Sequence, residues 1–214
     1  MNLTLVLIIT TVLISIVTFP EGVRAIDSIR RIDLFHKLKF NAYQIIHRKE
    51  WWRMITSGFL HASWGHLFFN MLALYFFGDL VEQYFGLYWG TTGKILFFGL
   101  YIIAIPISSI YSLIKHKNNH YYNAVGASGA VSAILFASIL FDPWIGIYLF
   151  FIPIPIPGII FGPLYLAYSQ YMGRKSIDNI GHDAHFWGAI VGFLLPVLLK
   201  PNLMKIFIER VLGG

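Results

Sequence analysis

Three clusters of polar residues interrupt an apolar chain, and each has residue types suited to hydrolysis. Ser128 lies in Gly126-Ala127-Ser128-Gly129, at the start of an uninterrupted apolar run. A serine on a tight turn beside free backbone N–H groups has what a nucleophile needs, because those amides receive the oxyanion it creates. Two structural roles compete with that reading. The hydroxyl would serve as a helix cap, and Gly126, Ala130, Ala133 and Ala137, three or four apart, would serve close helix packing. The second cluster is His182-Asp183-Ala184-His185-Phe186-Trp187-Gly188. His185, Gly188 and Gly192 share one helix face, and the Gly188/Gly192 pair admits another helix closely. If the small-residue face behind Ser128 is that partner, His185 approaches Ser128 and becomes the base that takes its proton. Asp183 stands two residues from His185 and faces nearly the opposite way on a helix, so it does not complete a triad. The third cluster runs from His61 to Asn70, with His66 and Asn70 four residues apart on one face. Asn70 sits in an apolar run, where an unpaired amide costs several kcal/mol. It donates either to a developing oxyanion or to a neighbouring helix. His61, before the helix, braces the loop.

The elements that must position these clusters follow from composition. Of 214 residues, 57% are hydrophobic and 12% charged. A soluble domain carries about twice that share of charge, so a water-soluble globule is excluded, and disorder with it. No cysteine is present, which removes disulfides, thiolate metal sites and a cysteine nucleophile. The net charge of +6 belongs with lipid headgroups rather than nucleic acid in so apolar a chain. Six charge-free stretches, 1–20, 54–78, 95–114, 118–141, 143–173 and 184–199, each hold a helix near the roughly 20 residues needed to cross a bilayer. The expected fold is an all-α membrane bundle of six transmembrane helices in a single domain, 1–214, with its core at about 51–200 and a short tail at 201–214. Residues 1–20 read as a retained first membrane helix, since no Lys or Arg precedes it and no small-residue cleavage site follows.

The first connection, 21–60, interleaves basic residues with Ile, Leu, Phe and Trp, the pattern of short amphipathic helices on a membrane surface. Pro153, Pro155 and Pro157 forbid a continuous helix, so an extended segment from Trp144 to Ile156 should precede a helix starting at Pro157 or Gly158. Alternating the loops puts twelve of the sixteen Lys and Arg on the side opposite the N-terminus, which by charge alone makes that side cytosolic.

Taken in order, Trp52-Arg53, His61…His66…Asn70, Gly78…Glu82…Gly86, G-A-S-G at 126–129 and A-H-F-W-G at 184–188 resemble the rhomboid family of intramembrane serine proteases. The resemblance covers Trp51 to Leu195. It implies an endopeptidase that cleaves transmembrane segments of membrane proteins through a Ser128–His185 dyad. By the same resemblance His66 and Asn70 line the oxyanion hole with the Ser128 N–H, and neither metal nor cofactor is used. Trp52, Arg53, His61, Glu82, Gly126, Gly129, Gly188 and Gly192 take supporting positions. The resemblance also implies lipid bilayer and membrane-protein partners, and no nucleic acid. It places both termini in the cytosol of a bacterial inner (plasma) membrane, with the active site opening to the non-cytoplasmic side, against the charge count. One position departs from the pattern. Many family members carry an aromatic residue four positions after the nucleophile, packed on the catalytic imidazole, and here that position is Ser132. Phe186 or a residue from another span would have to replace it.

Two other functions compete. A non-enzymatic member of the same fold would bind transmembrane segments, but its usual mark is loss of the Ser or the His. A helical metal or haem carrier would draw on the eight histidines. The pairs His61/His66 and His182/His185 bring no carboxylate on the same face.

Overall fold

The computed structural model describes residues 2–19, 25–149, 153–175 and 181–213, and the side chains of 25–31 lie outside the description. Six helices fall on the six uncharged stretches: α1 (Leu3–Thr18), α5 (Trp64–Trp89), α6 (Gly93–Lys115), α7 (Ser128–Phe141), α8 (Gly158–Lys175) and α9 (His182–Leu199). Between α1 and α5 the chain forms α2 (Ala25–Leu38), α3 (Ala42–Arg48) and α4 (Arg53–Thr56), the short helices expected of the interleaved first connection. By length and composition, the helical run Trp64–Lys115 and the helix His182–Leu199 are able to cross a bilayer, while Leu3–Thr18 and Ser128–Phe141 are apolar but shorter.

Helix α7 is the axis of the bundle. Every residue after Ser128 in it is buried, and it packs against α5, α6 and α9. Its 14 residues rise only about 21 Å, less than the roughly 30 Å of a hydrocarbon core. Enclosure by longer helices supplies protein rather than lipid around its ends. Residues 118–127, which the charge pattern joined to this span, are mostly irregular, so the helix begins at Ser128 itself.

Helix α5 corrects the charge-bounded reading in the other direction. The stretch 54–78 ends at Asp79, yet the helix runs on to Trp89. The charges that should have stopped it are used by α1. The Glu82 carboxylate accepts the Leu3 and Thr4 N–H groups at 3.0 Å each and the Thr4 hydroxyl at 3.2 Å, while Asn2 donates to Asp79 at 2.7 Å. A helix leaves its first N–H groups unpaired and carries a partial positive charge there, so two carboxylates are favourable at that end.

The proline-rich segment behaves as expected where it is described. Strands β1 (Gly146–Ile147) and β2 (Ile156–Pro157) pair antiparallel, and α8 starts at Gly158. The rest of that reading, at 150–152, lies outside the described residues. The stretch read as a short tail contains α10 (Asn202–Leu212), which buries Leu203, and Arg210 donates to the Phe141 carbonyl at the end of α7.

Candidate active site

The turn before Ser128 is built by contacts from three directions. Gly126 has φ +126°, and a Cβ there would lie 2.5 Å from His66 Cε1, so only glycine lets the turn approach that imidazole. Its N–H donates to the Ser57 carbonyl at 3.0 Å. The Ala127 N–H points at His61 Nε2, 3.5 Å away. His61 Nε2 is therefore the acceptor, and Nδ1 carries the proton and donates to Ser15 Oγ at 3.0 Å; Ser15 in turn donates to the Phe59 carbonyl at 3.1 Å. Burial, with the His66 ring beside it, pulls the His61 pKa down to about 3, which keeps this tautomer neutral. The brace expected of His61 thus runs from α1 to the turn that carries Ser128.

Ser128 is the first residue of α7, and Ala127, at the cap position, makes no side-chain cap. The capping role open to Ser128 is not realised as an N-cap. It lies half-buried at the end of the helix where backbone N–H groups are left free.

Helix α9 meets α7 backbone to backbone. A Cβ on Gly188 would strike the Gly129 carbonyl, and one on Gly192 would strike the backbone of Ala133. The Ala184 carbonyl stands 3.4 Å from the point where a Cβ on Gly129 would sit. The small-residue faces therefore meet as their spacing suggests. Ser128 adjoins the crossing on one helix and His185 precedes it by three residues on the other. Asp183 is turned to α6, where it pairs with Lys115 at 3.0 Å.

Two rings contact the imidazole of His185. Tyr165 of α8 is stacked on it with centroids 6.4 Å apart and planes 19° apart, and His182 meets it edge-on at 5.7 Å. The Tyr165 hydroxyl is 2.6 Å from Ser132 Oγ. Phe186, offered by the sequence as a substitute for the missing aromatic, packs on Trp187 instead. Neither spacing nor composition links Tyr165 to position 132; the only hint is a phenol among apolar neighbours.

His66 and Asn70 lie on α5, and His66 faces the turn. The Asn70 amide is buried and donates to the His66 carbonyl of its own helix at 2.8 Å, which neither sequence-based alternative anticipated. A cavity of about 40 Å³ is lined by Ser128, Gly126, Ser57, Ser108 and Ala184, room for a water molecule. It shares Ala124, Val125 and Gly181 with a cleft of about 560 Å³ bordered by His66, Tyr122 and His182.

Residues 48–202 match the Rhomboid domain. The chain belongs to the rhomboid family. It is accordingly a membrane-embedded protein. A mitochondrial RHOMBOID-like protein 12 of Arabidopsis thaliana is 30% identical over 64% of this chain and 43% of its own length. Rhomboid protease GluP of Bacillus subtilis is 30% identical over 79% of this chain and 30% of its own. Rhomboid protease AarA of Providencia stuartii is 29% identical over 78% and 63%. The chain thus spans less than two thirds of the length of each.

In this rhomboid the Trp52-Arg53 pair organises the first connection. Arg53 is buried and donates to the carbonyls of His36 at 2.7 Å and Lys39 at 2.9 Å, which satisfies carbonyls left open at the end of α2. Trp52 Nε1 donates to the Lys37 carbonyl at 3.4 Å. Phe40 then bridges to Ala124, and the Asn41 amide donates to the carbonyls of His120 and Tyr122. The first connection is bolted to the loop that leads into Ser128.

Proposed function

We propose that this rhomboid is an intramembrane serine endopeptidase that cleaves transmembrane segments of membrane proteins, with Ser128 as nucleophile and His185 as its base. The observation that supports it best is the glycine crossing of α7 and α9, which brings the start of one helix against the start of the other beside a cavity with room for water. His185 takes the Ser128 proton as Oγ attacks the scissile carbonyl carbon. His66, the Asn70 N–H not given to its own helix, and the Ser128 N–H receive the oxyanion. The imidazolium then returns the proton to the leaving amine. A water deprotonated by His185 hydrolyses the ester and frees Ser128. The carbonyls of a continuous substrate helix are engaged in its own hydrogen bonds, so the segment unwinds before cleavage. Helix α8 and the strands β1 and β2 before it form the gate.

Six helices cross the bilayer with both termini cytosolic and the cleft open to the opposite side, as in a bacterial inner membrane. The first connection holds most of the basic residues on the cleft side, and its folding onto the bundle, rather than into a simple loop, accounts for the contrary charge count. A reporter fused after Gly214 checks this; an exported C-terminus overturns it.

The decisive assay offers the purified protein a panel of single-span substrates. Ser128→Ala and His185→Ala should each reduce cleavage to background. Asn70→Ala should keep measurable turnover, since one oxyanion donor is worth about 2.7–4 kcal/mol. Full activity of Ser128→Ala refutes the reading. Failure of a fluorophosphonate to label Ser128 would instead mark a non-catalytic member.

A further inference from the structure

We infer that Tyr165, anchored by Ser132, is the positioning residue for the His185 imidazole. The inference rests on the Ser128–His185 reading above. Ser132 lies one turn after Ser128 on the same face of α7. Its hydroxyl holds the Tyr165 hydroxyl at 2.6 Å, and the Tyr165 ring lies nearly parallel to the imidazole at 6.4 Å. That separation and tilt fall within the range of attractive ring pairs. His182 closes an adjoining side at 5.7 Å with planes 72° apart, so rotation of the His185 ring displaces one neighbour or the other. The small residue at 132 is therefore no gap. It gives up its own ring and supplies the hydrogen bond that holds a ring brought from α8. The ring reaches the dyad from a different helix than the one bearing the nucleophile. Alignment of the base thus depends on how α8 is seated, and α8 buries only Gly158, Gly162 and Ser169 among its described residues.

The test measures kcat and KM on one single-span substrate for the wild type, Tyr165→Phe, Tyr165→Leu and the exchange Tyr165→Leu with Ser132→Tyr, alongside the rate of fluorophosphonate labelling at Ser128. A small misplacement of a reacting group costs up to about a hundredfold. Tyr165→Leu should therefore lower kcat and the labelling rate about ten- to a hundredfold, with KM changed less than about twofold. Tyr165→Phe keeps the ring and loses the anchor, so it should fall between Tyr165→Leu and the wild type. The exchange, which moves the ring to α7, should recover most of both rates. Unchanged kcat and labelling in Tyr165→Leu would overturn the inference. So would a loss that the exchange fails to restore while its melting temperature matches that of the wild type. If His185→Ala still cleaves, or wild-type Ser128 is not labelled, the dyad reading itself fails, and this inference with it.

Discussion

One side of α7 meets backbone and the other meets side chains. Against α9, Gly188 and Gly192 bring main chain onto the main chain of Gly129 and Ala133. Against α8, the contacts are the Ser132–Tyr165 hydrogen bond and the rings of Phe136 and Tyr165, 5.6 Å apart. Both helices also turn glycines to α7, yet the glycines differ. A Cβ on Gly162 of α8 would lie 3.6 Å from the Phe136 ring, an ordinary contact, whereas one on Gly192 has no space at all. Packed main chain has no rotamer with which to yield, while a surface of side chains does. A rigid seam therefore joins the helices that carry Ser128 and His185, and an adjustable face carries the ring beside them.

Substitutions on the two helices that flank α7 test this contrast. The largest effect belongs to the seam. Gly192→Val should destabilise by about 3 kcal/mol or prevent folding, at or above the upper end for overpacking, because neither backbone moves aside. Thermal unfolding in detergent reads it, and a melting temperature equal to wild type would show that the seam yields after all. Acid should act elsewhere, at the brace between α1 and the Ser128 turn. The folded pKa of His61 is lowered to about 3 from 6.5, so the unfolded chain binds the extra proton in the interval between them. Stability is then fully present above about pH 6.5 and declines as pH falls towards 3, by about 2 kcal/mol between pH 7 and 5. His61→Gln should flatten that decline; an equally steep fall in the variant would move the acid-sensitive point to another group. The smallest effect belongs to the adjustable face. Gly162→Ala should shift stability by less than about 1 kcal/mol, since the gain in helix propensity offsets a modest contact. A loss as large as that of Gly192→Val would erase the distinction between the two sides.

Much of this arrangement was legible in residue spacing. Gly188 and Gly192 announced a close helix partner, and the run of small residues after Gly126 announced which one. The uncharged stretches located α1 and α5 to α9, and the alternate prolines located the start of α8. Two residues from His185, Asp183 faces nearly the opposite way, and it pairs with Lys115. The difference at α5 has a clear cause. The uncharged stretch stops at Gly78, but a charge need not end a helix: Asp79 and Glu82 sit inside α5 and hold the start of α1. Asn70 gives one of its N–H groups to its own helix, a partner that its apolar setting does not reveal.

Periodicity acts within a helix and composition acts against the solvent, so the sequence by itself determined a membrane bundle, the faces of its helices and the candidate residues for hydrolysis. Contacts between residues distant along the chain obey neither rule. The proton on His61, the carboxylates under α1 and the ring on His185 depend on which helices end up side by side, and only the tertiary structure decided them. Tyr165 and Ser132 share no pattern in the sequence; packing α8 beside α7 is what brings a hydroxyl to a hydroxyl and a ring to an imidazole.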